Sequence, residues 1–445
     1  MKKEEISLEE KIKYVVKEFL EKSKDKEIQI ISHFDTDGIT SAAIMVQDLK
    51  RLDKKFSLRI VKSLEEQFIY DLPKGKLTLF LDLASGSLNH IEESKLEEVF
   101  IIDHHELIQN IPEKVTIVNS ELHDKQKMSC SCLTYLFCKE IDEKNKEFAK
   151  LGILGMIGDM LEKEIDKLNN GILDDGEIQR KRGLVIYPST RPLNRTLEFS
   201  SNPYIPKVTG DIKGVLELLR EVELGPVNGK YKSLIELNEE EMERLVTAII
   251  LRNPKAKYKE IIGDIFLIKL FNKLEDAREL SAKINACSRF GESEIALQLC
   301  MEIPSAKKRA EAIHVKYKQQ LVSGLKYASE AEKIEGKKFV ILNAKHNIKD
   351  TMIGTIASIL SNSSLYEEGT IITTMAYYDN KIKVSARIVG RNGRNAREIL
   401  NSVIEQVGGE VGGHENAAGC IISKEKENEF LTSLKKNLEL ELIKI

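Results

Sequence analysis

The sequence lacks several features that mark particular classes of protein. Its 445 residues include no tryptophan and nine prolines, and aromatic residues make up 6% of the chain. No apolar run reaches the roughly 20 residues that a transmembrane helix needs. The charged N-terminal stretch MKKEEISLEEKIKYVVKEFLEK has no apolar signal-peptide core. We therefore expect a cytoplasmic protein with no membrane partner.

The cysteines give no sign of a zinc site, because no two of them form a C-x-x-C pair. We expect them to be reduced and buried, as small apolar residues. The six are Cys130, Cys132, Cys138, Cys287, Cys300 and Cys420.

The overall charge excludes a uniformly basic nucleic-acid binder. Lysine and arginine total 68 against 71 acidic residues, which gives a net charge of −3. Any contact with DNA or RNA must therefore use a local basic surface.

The first third of the chain alternates short apolar runs with helical patterns. This βαβ rhythm predicts an α/β fold with a mostly parallel sheet and helices on both faces. The predicted strands are 27–33, 58–64, 76–83, 97–105 and 115–120, and a helix is predicted over 39–49.

The rest of the chain changes character twice. Residues 161–215 look rich in loops, and 215–335 look mainly helical, ending in a long linking helix. After Gly336 the alternation of strands and helices returns, with a hairpin turn at Tyr378-Asp379-Asn380. We predict four parts: a parallel-sheet domain (1–180), a mainly helical insert (181–310), a linker helix (311–336) and a smaller α/β domain (337–445).

Acidic and histidine side chains follow the predicted strands where each one ends. The carboxyl ends of parallel strands meet at one edge of the sheet, so these side chains should converge. Carboxylate and imidazole ligands suit Mn²⁺ or Mg²⁺, and two such ions could activate a water and neutralise a phosphate. Any one cluster alone could be a turn or a calcium-binding fragment, but together they predict a site. The candidates are His33, Asp35, Asp37, Asp82, Asp103, His104 and His105, with Asp159 on a later helix.

Five motifs in order resemble the DHH phosphoesterase superfamily. Four belong to its catalytic domain: SHFDTDG (32–38), LDLASG (81–86), IDHHE (102–106) and IGDM (157–160). The fifth, VGGEVGGHENAAG (407–419), is similar to the signature of the accessory DHHA1 domain. It departs from the signature in that Glu410 and Val411 precede the paired glycines Gly412 and Gly413, with another pair at Gly408 and Gly409. The resemblance implies a metal-dependent phosphodiesterase.

The resemblance also implies a role for each site residue. Asp82 would bridge two divalent ions, with Mn²⁺ preferred over Mg²⁺ because histidines are among the ligands. Asp103 would orient the histidines, and His105 would face the substrate phosphate as an acid or a transition-state stabiliser. The remaining ligands would be His33 and Asp35 for one ion, and Asp37, His104 and Asp159 for the other.

In the accessory domain, the resemblance assigns substrate contacts to Ser385 and Arg387 and to the glycine-rich signature. Arginine binds phosphate in a bidentate manner, and glycines let a backbone approach closely. The signature residues are Gly412, Gly413, His414, Ala417 and Gly419. Arg391, Arg394 and Arg397 extend a basic patch here, which could equally be a solvated surface.

Segments 183–211 and 284–300 resemble the archaeal RecJ-like branch. This implies a single-stranded DNA or RNA exonuclease in replication or repair, with a GINS-type replication complex or a repair helicase as partner. The residues favour neither cleavage polarity nor one nucleic acid. A phosphodiesterase of short oligonucleotides or cyclic dinucleotides and a helicase-associated scaffold are the alternatives.

A basic loop in the insert has two interpretations. It could line a strand-entry groove with aromatic residues for base stacking, or it could be a solvated loop anchored by core aromatics. Its residues are Arg180, Lys181, Arg182, Arg191 and Arg195, with Tyr187, Phe199 and Tyr204 nearby.

Overall fold

The computed structural model describes residues 6–440, apart from 108, 124–125, 164, 201–202, 204, 253–260, 364 and 391–393. Two compact units make up the chain. The first comprises Met1–Leu193, Pro226–Met242 and Ile262–His314; the second comprises Asn194–Gly225, Glu243–Ile261 and Val315–Ile445. No helix in the described part combines the length and the apolar character needed to cross a bilayer.

A five-stranded parallel sheet forms the centre of the first unit, as the sequence predicts. Its order is β2-β1-β3-β4-β5, and every neighbouring pair is parallel. The strands are β1 (Ile28–His33), β2 (Phe56–Val61), β3 (Leu77–Leu81), β4 (Glu98–Asp103) and β5 (Val115–Asn119). The central strand β3 is buried along its length, which explains its continuous apolar run.

Helices cover both faces of this sheet. Neighbouring residues Ile30 and Ile31 belong to different apolar clusters, because successive side chains of a strand point to opposite faces. The helices are α1 (Leu8–Lys22), α2 (Thr36–Arg51), α3 (Glu66–Tyr70), α4 (Leu88–Glu93), α5 (Cys130–Ile141), α6 (Ala149–Gly158) and α7 (Lys167–Asp175). The predicted doubly covered parallel sheet is confirmed.

A second, antiparallel sheet lies in a region where the sequence patterns predict loops and helices. It has the order β6-β7-β8, with β6 (Gln179–Leu184), β7 (Ile262–Leu270) and β8 (Lys273–Asp276). Phe271 and Asn272 connect the last two strands with φ values of 50° and 57°. Two consecutive residues in the left-handed region are typical of a tight type I′ hairpin. The prediction of a mainly helical insert omits this hairpin.

The other helices of the middle region agree with the predicted helical character. They are α8 (Leu193–Glu198), α9 (Ile212–Glu221), α10 (Glu239–Arg252), α11 (Ala277–Arg289), α12 (Ser293–Cys300) and α13 (Pro304–Glu330). The helix predicted as a linker over 311–336 is α13, which begins earlier and ends before a short strand. The four domain boundaries drawn from the sequence stay a prediction.

The second unit contains a six-stranded sheet in the order β13-β14-β12-β11-β10-β9. Its strands are β9 (Ile334–Gly336), β10 (Phe339–Asn343), β11 (Ile371–Tyr378), β12 (Lys381–Ile388), β13 (Glu410–His414) and β14 (Ala417–Ser423). The predicted hairpin joins β11 to β12, and Asp379 in its loop has φ 50°. Helices α14 (Asp350–Ser361), α15 (Ala396–Val407) and α16 (Glu427–Leu440) complete this part.

Candidate metal centre

The candidate ligands lie at the carboxyl ends of strands in the first sheet. His33 ends β1, Asp82 follows β3 and His104 follows β4. The chain runs from β1 to β2 on one side and from β3 onwards on the other, so this edge is a topological switch point. Ligands of open α/β sheets bind at such points.

One set of ligand atoms surrounds His33. Its Nδ1 lies 3.0 Å from Asp35 Oδ2 and 3.2 Å from Asp82 Oδ2. The three residues are close enough for their ligand atoms to hold one metal ion. They are the set that the sequence assigns to the first ion, together with the bridging aspartate.

A second set surrounds His104. Its Nε2 lies 3.2 Å from Asp159 Oδ2, 3.8 Å from Asp37 Oδ2 and 3.4 Å from Asp82 Oδ1. Asp37, His104 and Asp159 can hold an ion between them. Asp82 therefore presents one oxygen to each set, which is the geometry that a bridging carboxylate requires.

Two buried carboxylate oxygens test whether a metal fits. Asp82 Oδ1 and Asp159 Oδ2 accept no hydrogen bond from any described residue. The nearest cationic group is the imidazole of His104, whose Nε2 lies 3.4 Å from Asp82 Oδ1 and 3.2 Å from Asp159 Oδ2. Buried carboxylate oxygens without donors are costly, and a divalent cation would satisfy both. The donor set of carboxylates and imidazoles fits Mn²⁺ or Mg²⁺.

Backbone geometry at the end of β3 places Asp82 between the two sets. Asp82 has φ 62° and Ala84 has φ 91°, so the chain turns through the left-handed region where non-glycine residues are uncommon. Such strain persists where the surrounding structure fixes it, often at functional sites.

The start of α5 fixes Asp37. The two carboxylate oxygens accept hydrogen bonds from the backbone N–H groups of Cys130 (2.7 Å) and Ser131 (2.9 Å). These groups lie in the first turn of the helix, where the helix dipole favours a negative charge. A Cβ added at Gly155 on α6 would lie 1.9 Å from Ser131 Oγ and 2.2 Å from Asp37 Oδ1. Only glycine lets α6 approach this closely.

Gly38 serves the tight turn that the sequence predicts. An added Cβ would lie 2.3 Å from the carbonyl oxygen of His33. The N–H of Gly38 donates to Asp35 Oδ1 at 3.1 Å, so that ligand also caps α2.

His105 sits at the exposed rim of the site and is held by Asp103. Its Nδ1 lies 2.7 Å from Asp103 Oδ1, and half of the His105 side chain is exposed. The buried Asp103 also accepts from the backbone N–H groups of Ser85 (3.0 Å) and His104 (2.8 Å). This contact orients the imidazole of His105 and leaves its Nε2 free of Asp103.

Asn119, which none of the sequence motifs includes, supports the same loop. Its Nδ2 donates to the carbonyl of His105 (2.9 Å) and to Ser85 Oγ (3.0 Å). Asn119 is fully buried and is the last residue of β5. The signal was available, because Asn119 is a polar residue at a strand end, like the ligands.

Burial and the crowding of carboxylates shift the pKa values of the imidazoles and carboxyl groups at this site. Burial opposes the imidazolium form, but Asp35 and Asp82 outweigh it and raise the pKa of His33 to about 10. Burial likewise opposes the charge of His104, yet Asp82, Asp37 and Asp159 raise its pKa to about 10. Burial and neighbouring carboxylates raise the pKa of Asp82 and of Asp159. Divalent cations would replace these protons.

The predicted substrate contacts of the second unit lie in two rows across its sheet. In one row Ser385 pairs with Gly419, which pairs with Gly412. In the next row Arg387 pairs with Ala417, which pairs with His414. Residues two apart along a strand share a face, so the two rows form one surface.

On this surface the backbone of Gly412 is open, and hydrogen bonds fix the guanidinium of Arg387. A Cβ added at Gly412 would meet nothing within 4 Å, whereas Gly413 has φ 109° and shapes the hairpin. Arg387 Nε donates to Ser358 Oγ at 3.0 Å, and Gly354 of α14 lies against Ser385 and Arg387. The assignment of these residues to a substrate site stays a prediction.

The extended basic patch is smaller than the sequence suggests. Arg394 Nη2 donates to the carbonyl of Leu438 at 2.8 Å, near the end of α16. That contact caps a helix rather than facing a ligand. Arg397 is exposed on α15, and Arg391 lies outside the described residues.

The basic loop of the insert is largely neutralised. Arg180 and Arg182 pair with Asp264, Arg191 pairs with Glu279 and Arg195 pairs with Glu198. Lys181 donates to backbone carbonyls. Phe199 is 48% exposed, Tyr187 is half-buried and Tyr204 lies outside the described residues. These pairings favour the interpretation of a loop held by ion pairs over a strand-entry groove.

Comparison with known families agrees with the motifs. Residues 27–156 match the DHH family, N-terminal domain, and 336–440 match the DHHA1 domain. The chain belongs to the DHH/DHHA1 superfamily. Residues 187–261 also match the DHH-CID domain, so the DHH and DHHA1 domains are separated by a further recognised domain.

Relatives cover almost the whole chain. An uncharacterized protein of Methanocaldococcus jannaschii, MJ0831, is 27% identical over 91% of both chains. The structure of exonuclease RecJ bound to manganese covers 96% of this chain and 93% of its own, with a TM-score of 0.58 and 18% identity. CDC45 from Entamoeba histolytica covers 96% and 99%, with a TM-score of 0.69 and 10% identity. The two structures share the fold of this DHH/DHHA1 chain.

Proposed function

We propose that this protein is a two-metal phosphodiesterase that degrades single-stranded DNA or RNA from an end. One observation carries the proposal: two complete ligand sets flank Asp82, which presents one oxygen to each set. The unpartnered oxygens of Asp82 and Asp159 support occupation by metal ions. Among divalent ions we propose Mn²⁺ as the better fit and Mg²⁺ as a possible substitute, because two ligands are histidines.

When bound, a pair of divalent ions lowers the pKa of a water molecule and neutralises charge on a phosphate. The protein's own contribution centres on His105. Its contact with Asp103 outweighs burial and raises the pKa of the His105 imidazole. Near neutral pH, His105 can therefore carry a proton on Nε2 and donate it to the leaving oxygen.

The DHHA1 surface supports a substrate with a phosphate backbone. Ser385 and Arg387 offer donors beside the open backbone of Gly412, and at Gly419 an added Cβ would lie 2.9 Å from the carbonyl oxygen of Val384. Such a surface holds phosphates and sugars without selecting bases. The fold shared with a protein named exonuclease RecJ supports removal of nucleotides from a strand end.

The fold shared with CDC45 favours a second role as a component of a larger assembly. In that role the protein would bind a GINS-type replication complex or a repair helicase. The complete ligand sets argue that catalysis accompanies any such binding. Co-purification of a helicase partner without turnover of any oligonucleotide would favour the scaffold alone.

A labelled-strand assay tests the proposed activity. Single-stranded DNA and RNA of one sequence, labelled at the 5′ or the 3′ end, are incubated with Mn²⁺, Mg²⁺ or EDTA. We expect a metal-dependent ladder, and the label that is lost first gives the polarity. Cleavage of dinucleotides or cyclic dinucleotides with long strands left intact would replace the exonuclease with a small-nucleotide phosphodiesterase.

Matched variants distinguish the loss of a metal ligand from a general loss of folding. Asp82→Asn and His104→Ala should abolish cleavage, whereas Asp71→Asn at the exposed end of α3 should retain it. Full activity of the folded Asp82→Asn protein would remove the metal assignment.

A further inference from the structure

Thr36 lies in the chain between Asp35, a ligand of the first set, and Asp37, a ligand of the second set. Its side chain is 1% exposed and faces away from solvent. Thr36 Oγ1 donates to the carbonyl oxygen of Ser281 at 3.1 Å. Ser281 Oγ donates back to Thr36 Oγ1 at 3.2 Å. The start of α2, which carries both ligands, is thus attached to a helix 245 residues away in the sequence.

The end of α6 meets the same point. Gly158 immediately precedes the ligand Asp159, and a Cβ added at Gly158 would lie 2.8 Å from Thr36 Cβ. The same added atom would lie 3.6 Å from Ser281 Oγ. Three segments therefore pack at Thr36: the start of α2, which carries Asp35 and Asp37; the end of α6, which precedes Asp159; and α11.

The helix that carries Ser281 is itself anchored. Asp276 caps α11, and its second oxygen accepts from the backbone N–H of Ser189 at 2.8 Å. Buried Lys283 pairs with Glu275 at 3.0 Å and with Glu311 at 3.2 Å. Buried ion pairs with several partners hold an element in one position. Ser281 is therefore a fixed support for Thr36.

We propose that Thr36 and Ser281 form a positioning pair that fixes the separation of the two ligand sets. The pair rests on the proposed metal centre but assigns a role to α11, which lies outside the residues that match the DHH domain. Neither residue offers an atom to a metal. A shift of the Thr36 backbone would displace both Asp35 and Asp37, because the two ligands are its chain neighbours.

Graded substitutions test the pair. Thr36→Val removes both hydrogen bonds at nearly constant shape, Ser281→Ala removes only the second, and Thr36→Ser restores the donor. Thr78→Val is the matched control, because Thr78 is also buried and accepts from Gln29 Nε2 at 2.7 Å but lies at the opposite end of β3. Thermal melting of each variant verifies the fold.

The main measurement is electron paramagnetic resonance of the protein loaded with Mn²⁺, because spin coupling between two ions depends on their separation. We expect Thr36→Val to change the coupled signal, Ser281→Ala to change it less, and Thr36→Ser and Thr78→Val to match the wild type. On bis(p-nitrophenyl) phosphate or a single-stranded oligonucleotide, kcat of Thr36→Val should fall about 10- to 100-fold with little change in KM.

A folded Thr36→Val protein with wild-type coupling would overturn the positioning role. If Thr36→Val fails to fold, Ser281→Ala becomes the test. An unchanged spin-coupled signal in that variant would also overturn the positioning role. The spectroscopic result does not depend on the substrate. A changed signal in a protein that cleaves no strand would keep the positioning pair and reject the proposed exonuclease.

Discussion

Because α6 lies so close to the candidate metal centre, a larger side chain at Gly155 should lower both the stability of the protein and its affinity for metal. In Gly155→Ala, the added Cβ would lie 1.9 Å from Ser131 Oγ and 2.2 Å from Asp37 Oδ1. Helix α6 or the start of α5 must then move, and overpacking of this kind costs about 1–3 kcal/mol. Because α6 leads directly to Asp159 and α5 holds Asp37, the movement should also weaken metal binding.

Gly171 supplies the matched control. It lies inside α7, and an added Cβ there would meet nothing within 4 Å. Alanine is a better helix former than glycine, so Gly171→Ala should stabilise the fold by about 0.5–1 kcal/mol.

Thermal melting and Mn²⁺ titration of the two variants measure both effects. Gly155→Ala should melt at a lower temperature and bind Mn²⁺ about tenfold more weakly, which corresponds to about 1.4 kcal/mol. Gly171→Ala should melt at a higher temperature with unchanged binding. Wild-type melting and binding in Gly155→Ala would refute the packing argument.

Three further predictions concern the protons released on Mn²⁺ binding, His105 as the proposed acid, and the contact of Arg387 with the substrate backbone. Mn²⁺ binding near pH 7.5 should release at least two protons per chain, because the imidazoles of His33 and His104 must be neutral to bind a metal and the carboxyls of Asp82 and Asp159, whose pKa values are raised, add to the release. Affinity should therefore fall as the pH is lowered, and calorimetry in buffers of different ionisation enthalpy measures the release. His105→Ala should lower kcat about 10²- to 10⁴-fold and leave Mn²⁺ stoichiometry unchanged. Arg387→Lys should raise KM for long strands about tenfold, because lysine cannot form a bidentate contact with phosphate.

Each of these has an outcome that contradicts it. Buffer-independent binding heats would mean that the site holds no displaceable protons. Loss of metal from His105→Ala would make that residue a ligand instead of an acid. An unchanged KM in Arg387→Lys, with Arg397→Lys as a control on α15, would remove Arg387 from the strand surface.

The convergence of the candidate ligands could be predicted because parallel sheets place strand ends together. His33, Asp82 and His104 are far apart in the sequence, yet each follows a buried apolar run, and that pattern is visible without a structure. The order of the strands then brings them to one edge.

Features that depend on long-range packing could not be found in this way. The contact between Thr36 and Ser281 joins residues 245 apart, and no local pattern marks it. The hairpin of β7 and β8 was missed for a different reason. Its turn residues, Phe271 and Asn272, lack the glycine that usually signals a tight hairpin.

The ion pairs of the insert could not be predicted either. Arg191 sits in a segment rich in basic residues, but its partner Glu279 lies 88 residues away. Composition alone therefore leaves both a strand-entry groove and a solvated loop open, whereas folding brings an acidic residue to the same place.

An anomalous-scattering map of crystals grown with Mn²⁺, recorded near the manganese absorption edge, would show directly whether Asp82 bridges two ions. We expect two peaks per chain about 3.5–4 Å apart, one on each side of the Asp82 carboxylate. A single peak, or peaks away from Asp82, would contradict that bridging role.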